Sequence, residues 1–127
     1  MMWAGFNGHT AVVGYLLENG AAINARDSAG RTTLLFASSG PFAETVKLLL
    51  DRGADVNHKG SLEGFTALMT AAAEGQADVV RLLLKSGADS SLVDSDGDTA
   101  EKFARDKGHA EVVGLLNGAA GSKIAPK

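Results

Sequence analysis

One apolar segment recurs along this 127-residue chain, and its recurrence limits the folds that the chain can adopt. The copies read VVGYLLENGA, TVKLLLDRGA and VVRLLLKSGA, and their Gly-Ala pairs begin at Gly20, Gly53 and Gly87. A fourth copy, VVGLLNGA, follows. The spacing is 33 and then 34 residues, with one extra residue in the stretch HKGSLEGFTAL. A fixed period of this length is typical of proteins built from stacked structural repeats.

Each repeat contains the pattern of two short helices. In TALMTAAAEG, Thr66 is a residue that can accept a hydrogen bond from a free amide at a helix start, and Gly75 breaks the helix. Between them lies an apolar stripe at i, i+3, i+4 spacing, made of Leu68, Ala71 and Ala72. The following ADVVRLLLKSG predicts a second, bulkier helix that ends at Gly87. No such pair can bury its stripe alone, so the pairs must stack.

Further motifs recur in register with the apolar segments. The stretches TTLLFA, TALMTA and TAEKFA stand at equivalent positions, and Gly8-His9 and Gly108-His109 each precede a Val-Val pair. Together these motifs resemble the ankyrin-repeat pattern T-P-L-H-x-A, G-H, V-V, L-L-L, G-A, although the proline of T-P-L-H is absent throughout. The resemblance implies an all-α solenoid of about four stacked helix-turn-helix repeats joined by β-turn or hairpin loops. It covers residues 1–117, with repeats at about 1–26, 27–59, 60–93 and 94–117 and a frayed tail or linker at 118–127.

Composition excludes several classes of function. The chain is 45% apolar and 21% charged, which predicts a folded protein, and its net charge of −3 offers no basic surface for nucleic acid or anionic membranes. Its apolar runs fall short of the roughly 18 residues that span a membrane. We expect a soluble protein, with the cytoplasm the favoured compartment, although a chain without cysteine also suits the periplasm.

No motif predicts catalysis, a cofactor or a metal. DSDGDT alternates Asp94, Asp96 and Asp98 like the start of a calcium loop, but its glycine comes at the wrong position, so an aspartate-closed turn is the expected structure. His9 and His109 occupy equivalent repeat positions and are expected to bond neighbouring loops, whereas His58 is expected on an exposed turn. The sequence therefore favours a non-enzymatic protein.

The resemblance implies binding of a partner protein through turn tips and the exposed flank of the first helices. Carried over by position, the expected contact residues are Arg31, Leu35, Leu62, Glu63, Phe65, Met69, Asp96, Asp98 and Lys102. Leu62 and Phe65 are unusual because they put apolar side chains on a turn. They form either an exposed interaction patch or local packing that covers the core, and the sequence leaves both open.

A second function is compatible with the same sequence. The chain is also readable as a structural or capping segment of a longer solenoid, because its first repeat begins inside its first helix, where Met1 aligns with Leu34 and Trp3 with Phe36. Weak self-association through that N-terminal surface would be its sign, although a monomer is the expected state.

Overall fold

The computed structural model describes residues 1–124, with the side chains of all of these except Phe6 and 119–124. Within this part of the chain there are eight α-helices and no β-strand. The helices are α1 (Met2–Phe6), α2 (Thr10–Glu18), α3 (Thr33–Ala37), α4 (Ala43–Asp51), α5 (Ala67–Glu74), α6 (Ala77–Lys85), α7 (Ala100–Asp106) and α8 (Ala110–Ile124). The predicted pairing of two short helices in each repeat is confirmed.

The helices stack in two layers. The odd-numbered helices pack in the order α1, α3, α5, α7, and the even-numbered helices pack in the order α2, α4, α6, α8. Each odd helix also packs on the even helix that follows it. Since every helix contacts mainly its own partner and the equivalent helices of adjacent repeats, the fold is an all-α solenoid, as predicted.

Threonine and glycine set the limits of the helices. The side chains of Thr66 and Thr99 accept hydrogen bonds from the backbone N–H groups of Met69 and Lys102, at 3.2 and 3.3 Å, and so cap α5 and α7. The glycine of each LL-x-x-G-A segment (Gly20, Gly53 and Gly87) has a φ of +94°. Residues with a β-carbon disfavour this left-handed conformation. The recurring glycines are therefore required by backbone geometry.

Two asparagines link consecutive repeats behind these glycines. The side chain of Asn57 donates to the carbonyl of Gly87 at 3.2 Å and accepts from the N–H of Asp89 at 2.8 Å. Asn24 makes the same two bonds one repeat earlier, to Gly53 and Asp55. An amide side chain is suited to this position because it can donate and accept at once.

The core runs through the whole stack and is mostly Leu, Val and Ala. Its fully buried side chains include Val13, Val46, Leu49, Val79 and Leu83, each with no exposed surface. Two buried hydroxyls, Thr32 Oγ1 and Ser38 Oγ, have no hydrogen-bond partner among the described residues. None of the described helices is both long and apolar enough to cross a membrane.

The C-terminal end departs from the expectation. We expected a tail from residue 118, but α8 continues through Ile124, so the predicted boundary falls inside a helix. Alanine favours helix, and two alanines, Ala119 and Ala120, follow Gly118 in the sequence. The last part of the expected tail, residues 125–127, lies outside the described residues.

Candidate partner-binding groove

Three turn tips project beside the odd-numbered helices. Each is closed by a backbone bond: Asp27 N–H to Arg31 O at 2.9 Å, Gly60 N–H to Phe65 O at 3.0 Å, and Asp94 N–H to Asp98 O at 3.0 Å. Neighbouring tips are joined in turn, because Ser61 N–H donates to Ala29 O and Ser95 N–H donates to Glu63 O. The tips therefore form one hydrogen-bonded row and are held in fixed register.

The aspartates of DSDGDT shape the last tip. Asp94 is buried, and its Oδ1 accepts the backbone N–H groups of Asp96 and Asp98, each at 2.9 Å, which confirms the aspartate-closed turn. Carboxylate oxygens of the three aspartates lie within 4.8 Å of one another. Asp27 closes the first tip in the same way, and the N–H of Arg31 that it accepts holds the pKa of Asp27 below its ordinary value.

A groove lies between the first two tips and the odd-numbered helices. Its larger part is a cavity of about 240 Å³. The cavity walls include four of the predicted contact residues, Arg31, Leu35, Glu63 and Phe65. The half-buried ring of Phe36 also lines this part, and the guanidinium carbon of Arg31 lies 5.0 Å from its centroid. The predicted residues of the second and third repeats thus meet in one concave, mainly apolar site.

Phe65 separates this cavity from a smaller one of about 140 Å³. The smaller cavity lies between the half-buried rings of Phe65 and Phe103, whose centroids are 5.6 Å apart in an edge-to-face arrangement. Met69 lies in its floor and Glu74 lies at its border. The two cavities together are called the aromatic groove below; its aromatic walls are Phe36, Phe65 and Phe103.

Near the aromatic groove, the cations form ion pairs, whereas the acids that line the groove do not. Arg31 pairs with Asp27 at 2.9 Å, and Lys102 pairs with Asp106 at 2.7 Å, which raises the pKa of Lys102. Among the described residues, no ion pair within 4 Å involves the carboxylates of Glu63 and Glu74, the two acids that line the groove. The rim of the groove is therefore net acidic.

The predicted contact residues differ in how accessible they are. Leu62 is 72% exposed, so the interpretation that Leu62 packs locally to cover the core is wrong. Phe65 is half-buried against Phe103, which is local packing in part. The expectation that Leu35 and Met69 lie on an exposed flank is wrong, since they are only 5% and 2% exposed and contribute to the floor of the groove. The remaining contact residues are exposed or half-buried: Arg31, Glu63, Asp96, Asp98 and Lys102.

Two walls of the groove were missed by the sequence analysis. Phe36 and Phe103 stand two repeat periods apart, at the position held by Thr70 between them. A phenylalanine that recurs on a first helix at twice the repeat period is the pattern that could have revealed them. The sequence does not indicate in which direction the Phe65 side chain points, because that direction depends on how adjacent repeats pack.

The residue at the histidine position of the G-H motif contacts the preceding repeat in the second, third and fourth repeats. His109 Nε2 bonds the carbonyl of Ala73 at 3.1 Å, so it contacts the neighbouring repeat as expected, but at the last turn of α5 and not in a loop. Gln76 makes the equivalent bond to Ser39 O at 3.4 Å. Phe42 at this position instead lies against Gly8 of the preceding repeat and Gly40 of its own. His58, expected on an exposed turn, is half-buried, with Nε2 2.6 Å from Gly30 O.

His9 occupies the same position in the first repeat. Its ring stacks on Trp3 at a centroid distance of 5.0 Å. Trp3 is nevertheless 69% exposed.

Stacked helix pairs with tips in register define this molecule as a helical repeat protein. A family profile for ankyrin repeats (three copies) matches residues 1–60 and 43–125. The chain therefore belongs to the ankyrin-repeat family, as the sequence motifs predicted. Ankyrin repeats are generally protein–protein interaction modules and typically non-enzymatic scaffolds.

Several curated proteins are similar in sequence. The chain is 44% identical over 111 residues, 87% of its length, to ankyrin repeat and KH domain-containing protein mask of Drosophila melanogaster. It is 46% identical over 52 residues, 41% of its length, to human ankyrin repeat and KH domain-containing protein 1. Each match covers 2% of the relative. A putative ankyrin repeat protein of Rickettsia bellii is 51% identical over 51 residues, 39% of this chain and 21% of that protein.

Proposed function

We propose that this chain is a non-catalytic interaction module that binds a segment of a partner protein in the aromatic groove. The observation that carries the proposal is the meeting of residues from three repeats in one concave apolar site. Interaction surfaces are commonly marked by clustered apolar side chains with a charged border, and the aromatic groove has both.

The rigidity of the site supports the same function. Hydrogen bonds between adjacent tips and the buried floor of Leu35 and Met69 hold the groove in shape before any partner arrives. A preformed surface loses little conformational entropy on binding, so more of the contact energy remains as affinity. Leu62, exposed on the tip beside the groove, supplies an additional apolar contact at its edge.

The test is capture of partners from a cell lysate by the wild type and by Leu62→Ser and Phe65→Leu, followed by mass spectrometry. Leu62 is largely exposed, so its replacement is expected to leave folding intact, and circular dichroism checks this for each variant. Val12→Ser is the matched control, because Val12 is also an exposed apolar residue (44%) but lies on α2, in the other layer.

Loss of the same captured protein from both groove variants, with retention by Val12→Ser, is the expected result. Equal capture by all folded variants would move the site away from the groove and would contradict the proposal. Loss by Val12→Ser alone would place binding on the N-terminal surface.

A second candidate function has its own supporting observation. Trp3, Val12 and Tyr15 leave an apolar surface on the first repeat, with Tyr15 66% exposed. The repeat counterparts of Val12, Thr45 and Val79, have no exposed surface because a preceding repeat covers them. The surface is therefore of the type that repeats use to stack, which suits a structural segment that associates with another copy.

Sedimentation over a range of protein concentrations tests this second candidate. If the chain associates through its first repeat, the apparent mass of the wild type should rise with protein concentration. The apparent mass of Val12→Lys should remain that of the monomer at every concentration. A constant monomer mass in both proteins would refute it and leave the groove-binding function unaffected.

A further inference from the structure

The geometry points to the chemistry of the partner: we infer that the smaller cavity of the aromatic groove receives an arginine or lysine side chain of the bound segment. This inference rests on the proposed function, since it assigns a partner class to the same groove. The segment would carry an apolar side chain in the larger cavity and a basic side chain in the smaller one, on opposite sides of Phe65.

The aromatic walls are the first reason. The smaller cavity is bounded by Phe65 and Phe103, and aromatic faces attract cations through their quadrupole. The groove already contains one such contact, because the Arg31 guanidinium lies 5.0 Å from the Phe36 ring centroid. The same kind of contact is thus available to a cation supplied by a partner.

The charge at the border is the second reason. Glu74 borders the smaller cavity, is exposed, and forms no ion pair within 4 Å among the described residues. The nearby cations Arg31 and Lys102 are paired with Asp27 and Asp106. Their pairing leaves the rim acidic, and an acidic rim attracts a basic segment and repels an acidic one.

The position of the two cavities is the third reason. The larger cavity, about 240 Å³, has mostly apolar walls with Leu35 in its floor, which suits an aliphatic or aromatic anchor. The smaller cavity, about 140 Å³, holds the carboxylate at its border. Since Phe65 and Thr70 line both cavities, the cavities adjoin, and one short segment can fill both at once.

The experiment is selection of short random peptides displayed on phage against the immobilised full chain. Enriched peptides are then synthesised, and their dissociation constants are measured by fluorescence anisotropy. The analogue in which the basic residue is replaced by citrulline or glutamine keeps the length of the side chain but removes its charge. We expect enrichment of peptides that pair a basic with an apolar residue, and about tenfold weaker binding of the neutral analogue.

Glu74→Gln and a matched control separate the site from general electrostatics. Glu74→Gln should weaken the basic peptide several-fold and affect the neutral analogue much less, because only the charged side chain forms an ion pair with the carboxylate. Glu44→Gln removes an exposed acid from α4 in the other layer and should affect neither peptide.

The outcomes distinguish the two levels of the proposal. Enriched peptides without a basic residue, or basic peptides that respond equally to Glu74→Gln and Glu44→Gln, would overturn the assignment of the smaller cavity while retaining a groove that binds peptides. Enrichment that survives in a Phe65→Leu, Leu62→Ser protein would place peptide binding outside the groove and overturn both. Failure to enrich any peptide on the folded wild type would also overturn both.

Discussion

Gly75 and Gly108 occupy equivalent repeat positions and offer a matched test of how repeats are joined. Both adopt the left-handed conformation, with φ of +72° and +77°. A β-carbon at Gly75 would lie 2.6 Å from His109 Nδ1, whereas a β-carbon at Gly108 would meet no described atom within 4 Å. The two sites therefore share the conformational cost of a side chain and differ in the contact with the next repeat.

The expected losses of stability follow from the conformational cost at each glycine and from the contact with His109. In Gly108→Ala, strain of the left-handed conformation is partly offset by a less flexible unfolded chain, so the free energy of unfolding should fall by about 1 kcal/mol. Gly75→Ala should add displacement of the His109 ring and loss of its bond to Ala73 O, for a total of about 2–3 kcal/mol. The bond itself, 3.1 Å long, accounts for about 0.5–1.5 kcal/mol of the difference.

Urea unfolding followed by circular dichroism measures these free energies. The decisive comparison adds His109→Ala, since in that background no ring opposes the new methyl group and Gly75→Ala should cost only as much as Gly108→Ala. The double-mutant cycle should then give a coupling of about 1–2 kcal/mol. Equal costs at both glycines, together with no coupling to His109, would refute the idea that this ring contact joins the last two repeats.

Three further predictions concern single side chains. Ser38→Ala should raise the free energy of unfolding by about 1 kcal/mol, because it removes a buried hydroxyl without a described partner and Ala72 fills the equivalent site; a loss of stability in urea would contradict this. Asn57→Ala should lower it by about 1–3 kcal/mol through loss of both bonds to the next repeat, and an unchanged urea midpoint would show that water replaces them. The Arg31 N–H lowers the pKa of Asp27 in the folded state, so ionised Asp27 stabilises the fold at pH values above its unfolded pKa of about 4. This stabilisation is lost as the pH falls through the lower folded pKa. When the free energy of unfolding is measured against pH, Asp27→Asn should lack this part of the acid dependence.

The helices and turns could be predicted because one residue type decides each of them. Gly87 has to adopt positive φ, Thr66 caps a helix, and Asp94 closes its own turn, so each local structure follows from the chemistry of one side chain. The repeat spacing of 33 and then 34 residues places the copies along the chain. These features need no knowledge of how the repeats are oriented.

The groove was harder to predict because it depends on contacts between repeats. The family resemblance placed Leu35 and Met69 on the exposed flank of the first helices, but both side chains are buried. The edge-to-face pair of Phe65 and Phe103 likewise depends on the rotation of one repeat relative to the next. A position in the motif indicates which side of a helix a residue lies on, but burial is decided by the adjacent unit.

The asparagine links and tip bonds have a consequence for how the chain folds. The side-chain hydrogen bonds between repeats join residues no more than 37 positions apart. Closing such a loop costs about the same entropy wherever it lies in the chain, and local topology of this kind favours fast folding. Folding should therefore start at the most stable adjacent pair of repeats and then add the neighbouring repeats one at a time. The folding rate should depend mainly on the stability of that first interface and only weakly on the number of repeats.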